Sequence, residues 1–154
     1  MTAVPRAREA RIVVGVDGSE SSLHALRWAA SFAAVFGAQL EVVISWEYPM
    51  TYGWAAIAPD WDPQREMANV LEDAVSATFG DQRPPGMQLR VLEGGAAKVL
   101  LDVSAGAMML VVGSRGHGGF TGLLLGSVSA NVAEHSSCPV FVVHGDELAP
   151  VPAT

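Results

Sequence analysis

Short β-branched runs alternate along the chain with longer stretches in which apolar residues recur every three or four positions. Ile12-Val13-Val14, Val42-Val43-Ile44, Leu110-Val111-Val112 and Val140-Phe141-Val142-Val143 are continuous apolar runs without in-and-out alternation. Strands of that kind are covered on both faces, as in a parallel sheet between helices. The pattern predicts strands over residues 11–16, 40–45, 87–92, 108–112 and 139–143. Helices are predicted over 19–36, 63–79, 96–105 and about 126–135. In the second of these Met67, Val70, Leu71, Ala74, Val75 and Phe79 keep the helical spacing. Ser19 or Asp17 stands where a first-helix cap is needed, and Gly37 stands where that helix must stop.

A β-α-β-α-β-α-β-α-β order implies an α/β fold: an open five-stranded parallel sheet with helices on both faces, Rossmann-like. Parallel neighbours require crossovers, and right-handed crossovers return the chain over the sheet. With 154 residues, half of them hydrophobic, one well-buried core is the expectation. The division expected is a flexible arm over 1–10, a single domain over 11–145 and a flexible tail over 146–154. The last strand has no helix after it, so it lies either inside the sheet or on an edge that a second copy would cover.

Composition narrows the possible partners. The net charge is −7 with only nine Lys plus Arg, so no positive stripe exists to displace counterions from DNA or RNA. Arg6, Arg8 and Arg11 form the one basic cluster and read as a solvated arm. No apolar stretch is long enough for a membrane span. The N-terminus lacks the apolar core of a secretory signal and Cys138 is the single cysteine, which together predict a cytoplasmic protein.

The strongest chemical signal is Gly113-Ser114-Arg115-Gly116, followed after nine residues by Gly126-Ser127-Val128-Ser129. This G-x-x-G-x9-G-S pattern falls where an apolar strand gives way to a helix. Glycines let backbone amides approach an anion, and a helix start adds unpaired donors and the positive end of its dipole. Ligands of open parallel sheets bind beyond the strands' carboxyl ends, where the strand order reverses. The first and fourth strands are the expected pair at that point. The first ends in Gly15-Val16-Asp17-Gly18-Ser19, so Asp17 would either accept a hydrogen bond from ribose or adenine or cap the first helix.

Other chemistries fail on their motifs. There is no G-x-x-x-x-G-K-[ST], and Lys98, the single lysine, is far from either loop. Gly116-His117-Gly118-Gly119-Phe120-Thr121 misses the third glycine of a dinucleotide fingerprint and follows the wrong strand. Asp17-Gly18-Ser19-Glu20-Ser21-Ser22 lacks the paired glycines of an ATP pyrophosphatase loop. Neither Ser114 nor Ser127 sits in G-x-S-x-G. His24, His117, His135 and His144 show no metal-ligand spacing and read as surface or helix-end residues, with His117 placed to touch a ligand. Cys138 reads as a small buried filler, a redox role remaining open. The segment 46–61 holds three of the four tryptophans and both tyrosines. It would be a lid over a base, a dimer contact or a cluster folded onto the second helix.

Taken together, the opening Val14-Gly15-Val16-Asp17-Gly18-Ser19, the segment from Val111 to Phe120, the G-x-x-G-x9-G-S element and the finish Cys138-Pro139-Val140-Phe141-Val142-Val143 resemble the universal stress protein family. The resemblance runs over 11–144. It implies strand order 3-2-1-4-5, a homodimer paired through the fifth strand (Val140–Val143) and an ATP site. Gly15, Val16 and Asp17 would edge the adenosine and Ser45 would meet adenine through its backbone. Val112 and Gly113 would flank the ribose, Arg115 and Gly116 would begin the phosphate loop, and Gly126, Ser127, Val128 and Ser129 would hold the phosphates. Mg²⁺ or Mn²⁺ would accompany ATP on phosphate and water oxygens. Ser45 departs from the family's aliphatic residue, and Gly94-Gly95-Ala96 departs from Gly-x-Pro. With no positioned nucleophile or base in view, the implied role is a stress sensor or regulator rather than an enzyme. The alternatives are a slow ATPase with Ser127 or Ser129 as phosphate acceptor, a cyclic-nucleotide binder, and a nucleotide-free dimeric module.

Overall fold

A computed structural model describes residues 9–48, 60–115 and 126–145. Nine elements follow in order: β1 (Glu9–Gly15), α1 (Glu20–Phe36), β2 (Gln39–Trp46), α2 (Pro63–Phe79), β3 (Gln88–Glu93), α3 (Ala96–Ser104), β4 (Ala107–Gly113), α4 (Ser127–His135) and β5 (Val140–Val143). The five strands form one sheet in the order β3-β2-β1-β4-β5, parallel throughout. Register is fixed by rungs such as Val14↔Val42 and Val14↔Val111, so β1 is flanked by β2 and β4.

Helix ends follow local chemistry. The Ser19 side chain caps α1 by accepting from Ser22 N at 3.3 Å, and Gly37 N donates to Ala33 O. Asp62 caps α2 in the same way, accepting from Arg65 N at 3.2 Å, with Pro63 following where a missing N–H costs nothing.

The sheet separates two apolar layers. On one face Ile12, Val14, Val42 and Ile44 pack with Ala25, Leu26 and Ala29 of α1 and Leu71 and Val75 of α2. On the other, Val13, Val43, Leu110 and Val112 pack with Val99 and Leu100 of α3 and Val132 of α4. The centres of β1, β2 and β4 are buried on both faces, as their continuous apolar runs predict. β5 differs. Val140, Phe141 and Val142 are only half-buried because β5 is an edge strand with one neighbour.

Arg11 corrects the solvated-arm expectation. β1 begins at Glu9, whose amide donates to Gly106 O at 3.0 Å, so Arg11 lies within the sheet. Its Nη1 donates to Glu41 Oε2 at 3.1 Å and to Val103 O at 2.7 Å, and its Nη2 donates to Ala105 O at 2.9 Å. Arg90 donates to the other Glu41 oxygen at 2.7 Å. The Glu41 side chain is only 7 % exposed, so a buried carboxylate joins β1, β2 and β3. Arg6 and Arg8 lie outside the described residues.

Candidate functional site

The carboxyl ends of β1 and β4 lie side by side, and the chain leaves each through glycine. At Gly113 the first turn of α1 packs directly on the strand. A Cβ there would meet the Ser21 hydroxyl and stand 2.8 Å from the Ser21 backbone carbonyl. At Gly15 a Cβ would come within 2.8 Å of Leu100. Both glycines are therefore set by close approach of a helix to the sheet.

Around these glycines hydroxyls and amides tie the elements together. Ser21 Oγ accepts from Arg115 N at 3.4 Å, joining the start of α1 to the residue after β4. Ser114 N donates to Val143 O at 2.9 Å, and Ser114 O accepts from Gly126 N at 2.6 Å. Ser129 Oγ lies 3.2 Å from Ser114 O and 3.1 Å from Gly126 O. The two flanks of the 116–125 segment, Ser114–Arg115 and Gly126, are thus brought together at the base of α4. Gly116 and His117 lie outside the described residues.

Gly126 caps α4 without a side-chain bond, and Ser127 is exposed at the first helical position. A glycine cap and an exposed hydroxyl suit a helix start to an anion. Asp17 is exposed beside this end of the sheet. Its Oδ1 accepts from Ser19 N at 2.9 Å, so it shapes the turn while Ser19 supplies the helix cap. Ser45 follows the buried run of β2, two positions beyond the Gly15↔Val43 rung, and is half-buried. The Val16 and Val112 side chains are buried in opposite layers, and Val128 packs against the second.

The aromatic segment resolves at its two ends. Trp46 and Tyr48 meet edge to face at 5.1 Å, and Tyr48 and Trp61 at 5.6 Å. Trp46 Nε1 donates to Gln64 at 2.7 Å and Trp61 Nε1 to Glu66 at 3.0 Å, both on α2. Of the three readings, the described ends match a cluster on the second helix; residues 49–59 lie outside the described residues. Cys138 is buried, with Ser136 Oγ accepting from its amide at 3.1 Å. His135 is exposed at the end of α4 and contacts Asn131 O at 3.0 Å; His24 Nδ1 lies 3.3 Å from Gly145 O.

No motif marks Ser21 or Leu100, and Ser114 fills an unspecified position of G-x-x-G. Ser21 and Ser22 follow the cap in a Ser-Glu-Ser-Ser run, which marks a helix start but gives no sign that one hydroxyl reaches across to β4. Among the described residues no group of three or more His, Cys, Asp or Glu is placed to hold a metal ion, and no helix is long and apolar enough to cross a membrane.

Comparison with known proteins gives one answer. The model of the universal stress protein family matches residues 10–144. A universal stress protein of Mycolicibacterium smegmatis is 37 % identical over 95 % of this chain and 52 % of its own length. One from Mycobacterium tuberculosis is 31 % identical over 88 % of this chain and 48 % of its own. The chain thus spans about half the length of these curated relatives. Among solved structures, a universal stress protein in complex with cAMP is 29 % identical with a TM-score of 0.66, covering 90 % of this chain and 98 % of its own. The universal stress protein UspA of Lactobacillus plantarum, 19 % identical with a TM-score of 0.71, covers 90 % of this chain and 100 % of its own and shares the fold. By fold, motif and similarity, the chain belongs to the universal stress protein family.

Proposed function

We propose that this chain binds ATP at the carboxyl ends of β1 and β4, and that ATP occupancy sets a stress-related state in a homodimeric, cytoplasmic regulator. The observation that carries the reading is the meeting, at one end of the sheet, of Asp17, the glycine-flanked end of β4 and the glycine-capped start of α4. Asp17 would accept from the ribose or base beside Gly15 and Val16, with Ser45 along the adenine edge. Val112 and Gly113 would border the ribose. Arg115 and Gly116 would start the phosphate contacts, and the amides of Ser127 and Val128 would complete them at the helix dipole. Mg²⁺ or Mn²⁺ would arrive with the phosphates and be held chiefly by them and by water.

Dimerisation through β5 (Val140–Val143) is supported by the half-buried apolar residues Val140, Phe141 and Val142 of this edge strand. Phe141 continues that edge into Trp28 and Phe32 of α1, with ring centroids at 5.5 and 4.9 Å. Among the described residues the site offers hydrogen-bond donors and no positioned base, which supports a binder over a turnover enzyme. The test is to denature freshly purified protein and identify what is released, and in parallel to measure ATP hydrolysis with and without Ser127→Ala. Released ATP without serine-dependent turnover is the expected result. An empty protein that ignores added ATP and cAMP would refute nucleotide binding, and serine-dependent hydrolysis would make the protein an enzyme.

A cyclic nucleotide is the second reading. It is favoured by the relative solved with cAMP. Competition between ATP and cAMP for the wild-type protein separates the two, since the tighter ligand displaces the other.

A further inference from the structure

We infer that Ser129 is a positioning residue, not a phosphate ligand: its hydroxyl fastens the start of α4 to the end of β4 and so sets the donors that phosphate would meet. This inference rests on the nucleotide reading and reassigns one residue within it.

The argument is one of proton count. A serine hydroxyl has a single proton, and a phosphate oxygen can only accept. Ser129 is 3 % exposed, and its Oγ faces two carbonyls, Ser114 O at 3.2 Å and Gly126 O at 3.1 Å. Its proton is committed to that pair. Turning it to a phosphate would leave two closely spaced carbonyl oxygens against the hydroxyl's lone pairs, a costly arrangement at a buried site. Ser114 O also accepts from Gly126 N at 2.6 Å, so Ser129 braces the contact that brings the two flanks of the 116–125 segment together. Ser127, two positions earlier, is exposed at the first turn of α4 and is the hydroxyl placed to donate outward. On the opposite flank Ser21 Oγ receives Arg115 N, so both flanks are fixed by serines from the surrounding helices.

The test compares Ser129→Ala, Ser129→Thr and Ser127→Ala in the full chain, first without nucleotide. Amide exchange at Gly126, followed by NMR, is expected to accelerate about three- to tenfold in Ser129→Ala, the span of one ordinary hydrogen bond. It should return towards wild type in Ser129→Thr and stay unchanged in Ser127→Ala. With ligand, ATP affinity should fall about three- to tenfold in both alanine variants, while adenosine affinity stays at the wild-type value in Ser129→Ala. Unaltered Gly126 exchange in nucleotide-free Ser129→Ala would overturn the assignment. A wild-type protein that binds no ATP would defeat the nucleotide reading alone, because the exchange contrast is measured without ligand.

Discussion

The two ends of the sheet are built on opposite principles. At the amino ends of the strands Arg11, Glu41 and Arg90 satisfy one another across β1, β2 and β3, and Arg11 also binds Val103 O and Ala105 O at the end of α3. At the carboxyl ends the chain uses Gly15, Gly113, Gly126 and small serines, with amides and hydroxyls bonded to neighbouring carbonyl and hydroxyl oxygens and Ser127 exposed. Charge satisfied inside the protein stabilises the fold and leaves little for a ligand. Small residues with exposed backbone do the reverse, since they admit an anion and gain little stability themselves. Burial works against the Arg11 charge, yet the hydrogen bond to Glu9 and the field of Glu41 outweigh it and raise the arginine's pKa.

Glu41→Ala attacks the first end and has the largest expected effect. Two arginines lose their shared carboxylate, one of them largely buried, so stability should fall by about 3–5 kcal/mol in denaturant melts. ATP affinity of the folded fraction should be unchanged. A large loss of affinity without a loss of stability would break the division between the two ends.

Gly113→Ala attacks the second end. Its Cβ would press on the Ser21 backbone at 2.8 Å, which should cost roughly 1–3 kcal/mol of stability and weaken ATP binding about tenfold. Calorimetric titration together with a thermal melt checks both. A variant that binds ATP normally would show that the approach of α1 to β4 does not shape the site.

How much of this contrast the sequence discloses depends on the range of the interactions. The strands and helices are legible because periodicity and caps are local: Ser19, Gly37 and Asp62–Pro63 mark ends within a few residues of the bonds they make. The apolar pattern of Val140–Val143 alone leaves that strand inside the sheet or on an edge, because both share one pattern until neighbours are counted; the order 3-2-1-4-5 that the family resemblance implies puts it on the edge, where it lies. Arg11 reads as part of an arm because Glu41 lies on another strand and nothing near Arg11 in sequence announces it. In the site, glycine and serine types are visible at the right spacing, but the direction of each hydroxyl is not. Ser127 and Ser129 look equivalent in Gly-Ser-Val-Ser, while one is exposed and the other buried.

Ser127→Ala sharpens the comparison with a smaller effect. An exposed hydroxyl at the helix start should contribute about 1 kcal/mol to ATP binding and little to folding. Titration against ATP and a melt of the free protein should show the first change without the second. A comparable loss in the melt would mean that Ser127 belongs with the stabilising groups.

The smallest effect belongs to the surface pair Arg83–Glu72 at 2.7 Å. The hydrogen bond from Arg83 holds the Glu72 carboxyl below its ordinary pKa. A carboxylate with a depressed folded-state pKa contributes stability above its unfolded value, and that contribution is lost as pH falls through the folded value. Arg83→Leu should therefore move the Glu72 titration upward, as followed by carboxyl NMR, with the neutral-pH melting temperature almost unmoved. An unchanged Glu72 titration would show that the pair does not persist in solution.

The most direct test of the central claim is amide exchange across the whole chain before and after ATP is added. The account predicts new protection at residues 15–17, 112–115 and 126–129, with the strand beginnings around Arg11, Glu41 and Arg90 unaffected. Protection confined to that charged end, or none anywhere at saturating ATP, would contradict it.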